Sequence, residues 1–139
     1  VTIKKRVNQL VSKHGTRDPF EIARAMGIDV IYMPLGESKR GFFSRLYRTA
    51  AILINENLSY KKQKTTCAHE LGHIILHSEL NAAFLNSNTY QITDKYEIEA
   101  NEFMIELLFN DNEPYPITIK EATEEYGIPE QLLKKKFYS

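Results

Sequence analysis

His69-Glu70-Leu71-Gly72-His73 is the stretch on which the reading of this chain turns. An H-E-x-x-H pentapeptide on a helix sets two imidazoles on one face, one turn apart, where both can bind a single ion. Imidazole nitrogen suits zinc, and two such ligands with a third from elsewhere leave one tetrahedral position open for water. The glutamate beside the first histidine is then placed to act as general base toward that water, whose pKa the metal lowers to about 7. The pattern points to zinc as cofactor, His69 and His73 as metal ligands, Glu70 as catalytic base, and peptide hydrolysis as the reaction.

The flanking residues predict a helix. At about 100° per residue, Cys67, Ala68, Leu71, Ile74 and Ile75 share one side while His69, His73 and His77 cluster opposite, so one face packs and the other does chemistry. Ser59 is a good N-cap, and the pattern runs to about Ser78. Gly72 costs such a helix about 1 kcal/mol relative to alanine, which points to close approach of another backbone. His77 extends the histidine face, but it lies about 12 Å along the axis from His69, too far for all three to share one ion. It reads as a surface or packing histidine, with a contact to a ligand or to substrate as the alternative.

A third ligand must come from outside this helix, and Tyr96 to Asn110 reads as a second one. Glu99, Glu102 and Glu106 share a polar side, roughly 140–200° from Glu97. Glu97 instead falls near the middle of an apolar arc of Ala100, Phe103, Met104, Ile105, Leu107 and Leu108, with Asn101 one turn on. A lone carboxylate aimed at a core is costly unless paired or bound to metal, which favours Glu97 as the ligand. The alternative is an exposed first-turn glutamate, favourable to the helix dipole.

Taken together, HELGHIILH at His69 to His77, EIEANEF at Glu97 to Phe103 and DPFEIARAMGIDV at Asp18 to Val30 resemble the ImmA/IrrE family of small zinc-dependent, gluzincin-like peptidases. The resemblance covers most of the chain and implies a zincin-like domain with His69, His73 and Glu97 on zinc and Glu70 as base. It also implies that Asn101 stands where related enzymes support a ligand histidine. The family commonly continues after its ligand helix with a leucine pair, methionine and proline, whereas this chain reads Leu107-Leu108-Phe109-Asn110-Asp111, so the shape of the following loop is not carried over. The short, ImmA-like branch fits this length. Those proteins reside on phages or mobile elements and act as anti-repressors that cleave a helix-turn-helix repressor, which is the protein partner the resemblance implies.

Composition agrees with one small intracellular enzyme. At 139 residues and 42% hydrophobic, the chain is expected to form a single domain over 1–139 around one modest core. Eighteen basic residues balance eighteen acidic ones, so net charge offers no reason to expect nucleic acid or a membrane surface as partner. The single cysteine, Cys67, lies on the packing face and excludes a disulfide framework. No apolar run approaches the roughly 20 residues of a membrane span and there is no signal-peptide pattern, which makes the cytoplasm the expected location. The first residue, Val1, suggests a trimmed start.

Outward from the motif, Ile3 to Lys13 and Pro19 to Met26 read as helices, the second opened by Asp18 and closed by Gly27. Ile28 to Met33, Gly41 to Tyr47 and Ala50 to Asn55 read as strands, the last two as a hairpin turning at Arg48-Thr49. Glu79 to Asp94 reads as a long loop beside the cleft, and Pro114-Tyr115-Pro116 introduces a carboxy-terminal helical pair over 117–138. The expected fold is α+β, a short sheet packed with helices, with the zinc site between the H-E-x-x-H helix and the Glu-bearing helix that follows. The Lys61-Lys62-Gln63-Lys64 and Lys134-Lys135-Lys136 runs read as solvated faces. An oxyanion donor is expected but Tyr47, Tyr60, Tyr90 and His77 cannot be ranked from sequence.

Two competing functions belong to other classes. Thr118 to Lys136 has the helix, glycine-containing turn and second helix of a DNA-binding helix-turn-helix module, and Pro19 to Ile28 offers another fragment. Glu121, Glu124, Glu125 and Glu130 there would repel phosphate. The other competitor is a non-catalytic zinc protein that binds a repressor without cutting it.

Overall fold

The computed structural model describes residues 2–46, 49–77, 90–109 and 118–137. In chain order these form α1 (Ile3–His14), α2 (Pro19–Ala25), β1 (Asp29–Met33), β2 (Gly41–Leu46), β3 (Thr49–Asn55), α3 (Tyr60–Leu76), α4 (Tyr90–Leu108), α5 (Ile119–Glu124) and α6 (Glu130–Phe137). The result is a small α+β fold. Local chemistry marks many of the boundaries. Thr2, Asp18, Ser59 and Thr118 each accept a backbone N–H of the turn they open, satisfying donors that have no partner within the helix. Among the described residues no helix is long and apolar enough to cross a membrane.

The sheet has the order β1-β3-β2. β3 is central, pairing parallel with β1 and antiparallel with β2, with Ile52 opposite Val30 and Phe43. Because strand side chains alternate, Ile52 and Ile54 share one face of β3, and both are wholly buried. α3 lies on β2 and β3, and α4 packs on α3 from beyond the sheet. A helix between two layers cannot keep a simple two-sided pattern. Thr65 to Ile75 is therefore buried almost all round, save a partly exposed His69. The threonines are accommodated because Thr65 and Thr66 donate their hydroxyls back to the Lys61 and Lys62 carbonyls at 3.0 and 2.8 Å.

Several expectations are corrected. α4 starts at Tyr90, so the end of the supposed loop, through Asp94, is helical; Thr49, expected in the hairpin turn, is the first residue of β3, while Tyr47, Arg48, residues 79–89 and Pro114-Tyr115-Pro116 lie outside the described residues. At Gly72 the nearest neighbour is a side chain of α4, Phe103, with its ring 3.0 Å and its Cβ 3.1 Å from where a Cβ would stand. Backbone approach occurs at Gly41, where a Cβ would stand 2.5 Å from the Leu53 carbonyl oxygen and 2.7 Å from Thr66 Cγ2. Lys61 is not simply solvated: its Nζ donates to Glu125 at 2.8 Å and lies over the Tyr126 ring, tying α3 to the segment between α5 and α6.

Two buried connections hold the layers in place. Arg17 Nη1 donates to the Glu106 and Leu107 carbonyls, both at 3.1 Å, closing the end of α4 where backbone acceptors lack helical partners. Asn55, 2% exposed, donates to the Gly36 and Lys39 carbonyls at 2.7 and 2.8 Å and accepts from Asn57 N–H. One amide thus fixes both the approach to β2 and the turn into α3.

Candidate metal centre and its pocket

The H-E-x-x-H turn lies in the middle of α3, and the first half of α4 crosses it. Glu97 reaches both histidines: its Oε2 is 3.0 Å from His69 Nε2 and its Oε1 is 2.9 Å from His73 Nε2. His69, Glu70 and His73 also offer ligand atoms within 4.8 Å of one another. Glu70 is nonetheless the outlier, with its Oε2 4.0 Å from His69 Nε2, whereas Glu97 touches both rings. The geometry separates one carboxylate that joins the histidines from a second that stands beside them.

Electrostatics follow that division. Burial alone would raise Glu97, but hydrogen bonds and charge from His69 and His73 hold it far below the usual carboxylate range. Burial alone would lower His69; the Glu97 hydrogen bond, the charges of Glu70 and Glu97, and a hydrogen bond with Asn101 outweigh it and lift the imidazole above its ordinary value. Burial pushes the Glu70 carboxyl up, with His69 and His73 opposing. A carboxylate raised toward neutrality is a better proton acceptor and a usable donor, as a general base that later serves as an acid requires.

Glu97 arrives here by a route other than the burial argument made from sequence. Its side chain is 44% exposed, so it does not point into the core. Tyr96 meets His77 and Phe103 meets Gly72 on the side of α4 that faces α3, and Glu97 and Glu99 flank that side. Glu99, expected to face solvent, accordingly reaches His77, with Oε1 3.1 Å from Nε2. His77 is buried, not a surface histidine; its Nδ1 is 3.0 Å from His73 Nδ1 and its ring meets Tyr96 edge-on. Phe43 stacks on His73 with centroids 5.4 Å apart. Phe42 and Phe43 lie on opposite faces of β2, so nothing in the sequence said which of them turns inward or placed Phe43 under His73.

The histidines open onto a pocket of about 710 Å³. It is lined by the chain from Lys39 to Phe43, by the α3 residues His69, Glu70 and His73 with Thr65 and Thr66, by Glu97, Asn101 and Met104 of α4, and by Gly127 to Pro129 with Leu132. Arg40 Nη1 donates to the Gly127 carbonyl at 3.0 Å, linking two of these lining segments. The segment that resembled a helix-turn-helix therefore completes this pocket, and Ala122, Ile128 and Leu133 bury themselves in the common core. Of the oxyanion candidates, Tyr60 packs on Phe20 at the far end of α3 and His77 lies beneath His73, so neither lines the pocket. Tyr47 and the Tyr90 side chain lie outside the described residues.

The donor set fits a zinc ion. Two imidazole nitrogens and a carboxylate are ligands zinc accepts, and with bonds of roughly 2.0–2.1 Å neighbouring ligands in a tetrahedron stand about 3.3 Å apart. The observed 2.9 and 3.0 Å lie within a few tenths of that spacing. This fold and donor set define a metallopeptidase type of site. The chain belongs to the peptidase family described as the IrrE N-terminal-like domain, whose model matches residues 23–138. It is 40% identical over 109 residues to an uncharacterized immunity region protein 2 of Bacillus phage phi105, covering 78% of this chain and 69% of that protein. It is 32% identical over 117 residues to the metallopeptidase ImmA of Bacillus subtilis (strain 168), covering 82% and 69%.

Proposed function

We propose that this protein is a zinc-dependent endopeptidase that cuts a helix-turn-helix repressor of a phage or mobile element at a defined bond, and so acts as an anti-repressor. The observation that carries the peptidase reading is the Glu97 carboxylate joining His69 and His73 while the raised Glu70 carboxyl stands free of that pair on the pocket. His69, His73 and Glu97 would hold the zinc. When bound, it supplies Lewis-acid polarisation of the scissile carbonyl and lowers the pKa of water at the site. Glu70 takes the proton from the water as its oxygen attacks the carbonyl carbon, then returns that proton to the departing amine nitrogen. Burial supports both halves of this exchange, because it brings the carboxyl closer in pKa to its partners. The relative from a phage immunity region supports a repressor as substrate.

Selectivity has a physical basis in the pocket. A folded repressor presents few extended segments able to enter a pocket in which the histidines are recessed among residues of several elements, so an exposed linker or a locally opened helix is the expected cleavage point. The test mixes zinc-loaded protein with the purified repressor and, separately, with casein, following both by intact mass. One defined cut in the repressor is expected, with Glu70→Gln retaining zinc but losing about 10²–10⁴-fold in rate. Near-normal cleavage by zinc-loaded Glu70→Gln would remove Glu70 from the reaction. Rapid loss of casein with intact repressor would mark a general peptidase, and tight repressor binding without any cut would mark a sequestering protein.

A further inference from the structure

Behind the candidate ligands lies a second array of polar groups with no part in the hydrolysis itself. His77 ends α3, its backbone N–H donating to the His73 carbonyl at 2.9 Å. Its ring, 4% exposed, is held edge-on by Tyr96. The ring nitrogens make two contacts, Nδ1 to His73 Nδ1 at 3.0 Å and Nε2 to Glu99 Oε1 at 3.1 Å. His73 in turn directs its Nε2 to Glu97 at 2.9 Å. Four side chains from two helices thus form one line, Glu99, His77, His73 and Glu97.

The line has a definite sense. An ionised carboxylate only accepts hydrogen bonds, so the proton facing Glu99 belongs to His77 Nε2. A neutral His77 then presents a lone pair at Nδ1. Two imidazole nitrogens 3.0 Å apart need one proton between them, since two lone pairs or two N–H groups would repel. In the metal-free chain Glu97 would accept a proton from His73 Nε2; with zinc in place of that proton, the one between the rings belongs to His73 Nδ1 and Nε2 keeps its lone pair for the metal. From this chain of donors we infer that His77 and Glu99 are positioning residues: they select the His73 tautomer that can bind metal and lock its ring. This inference rests on the zinc reading above and deepens it. Such outer partners of a metal-binding histidine typically contribute a factor of about 10–100 in metal affinity. Here the partner is itself a histidine, one turn along the same helical face, and the carboxylate acts through it from α4.

The test uses the full chain and reads metal affinity and tautomer, not turnover. Zinc affinity by chelator competition should fall about 10–100-fold in His77→Leu, which keeps bulk but offers no acceptor. His77→Asn, whose Oδ1 stands near the place of Nδ1, should recover most of the loss. Glu99→Ala alters a side chain 35% exposed, so it should leave the fold intact by circular dichroism while still weakening zinc. Nitrogen-detected NMR of the zinc-loaded wild type should find the proton on His77 Nε2 and on His73 Nδ1. Wild-type zinc affinity in both His77→Leu and Glu99→Ala, or a proton on His77 Nδ1 in the loaded wild type, would overturn the inference. Failure of the wild type to bind zinc at all would instead overturn the underlying reading of the site.

Discussion

His69 and His73 are the same residue on the same helix, one turn apart, yet they stand in opposite surroundings. His69 is 19% exposed, borders the pocket and has Glu70 beside it. His73 is 2% exposed, lies on Phe43 and is backed by His77 and Glu99. Both meet the same carboxylate at nearly the same distance. The difference teaches how one site can serve two needs: the buried side holds geometry, and on the proposed function the open side is the one that would admit substrate and exchange protons.

The largest expected effect is on metal. His69→Ala and His73→Ala should each abolish stoichiometric zinc by elemental analysis, because either change leaves too few protein ligands for a tight tetrahedral site. Only His73→Ala should also lower the stability of the metal-free protein substantially, by about 1–3 kcal/mol in urea unfolding, since it leaves a buried His77 nitrogen unpaired. Equal destabilisation by the two would erase the distinction between the sides.

Next is the seam that sets how far α4 stands from α3. Gly72→Ala should cost up to about 2 kcal/mol, because overpacking of about 1–3 kcal/mol against the wholly buried Phe103 exceeds the roughly 1 kcal/mol of helix propensity regained. Thermal and urea unfolding measure it. A more stable variant would mean that Phe103 can yield.

A smaller effect centres on Glu97 and His69 and depends on pH. Glu97 is held below its usual 4.5, so its contribution to metal-free stability is present above that pH and fades as acid approaches the lowered value. His69 is held above its usual 6.5, so its contribution is present below that pH and fades as base approaches the raised value. The pair therefore stabilises the metal-free protein most between about pH 4.5 and 6.5. Unfolding free energies across pH 4–8 should show this maximum shrink in His69→Gln; an unchanged profile would deny the pair its role. Zinc should reverse the trend above pH 6, because ligand histidines must be neutral to bind it.

Least affected is the side of α3 away from the histidines. Cys67 is wholly buried, and burial, with lesser contributions from Asp18 and Glu70, pushes its thiol far above the usual range. Iodoacetamide at pH 8 should add no mass to the folded protein and one adduct in urea. Rapid native labelling would show that this face opens.

How much was legible from sequence depended on how local each feature is. The span of α3, its Ser59 cap and the common face of His69 and His73 follow from a repeat of 3.6 residues and one capping side chain, both set within a few residues. The α+β class and the three strands follow in the same way from short apolar, β-branched or aromatic runs bounded by turn residues. The beginning of α4 was misplaced because Tyr90 to Asp94 carries little apolar periodicity of its own.

The contacts between elements were set elsewhere. Whether Glu97 meets both histidines, whether Glu99 turns to His77 instead of water, and whether Phe43 lies under His73 depend on how α4 crosses α3 and how β2 lies beneath it. Those placements come from Phe103 against Gly72, Arg17 on the end of α4, and Asn55 on the chain before β2, contacts spanning up to about 90 residues. The sequence by itself determined which side chains could share a helical face; only the tertiary structure decided which groups from other elements meet them, because packing of distant residues sets the few ångströms within which a carboxylate joins two histidines or misses them.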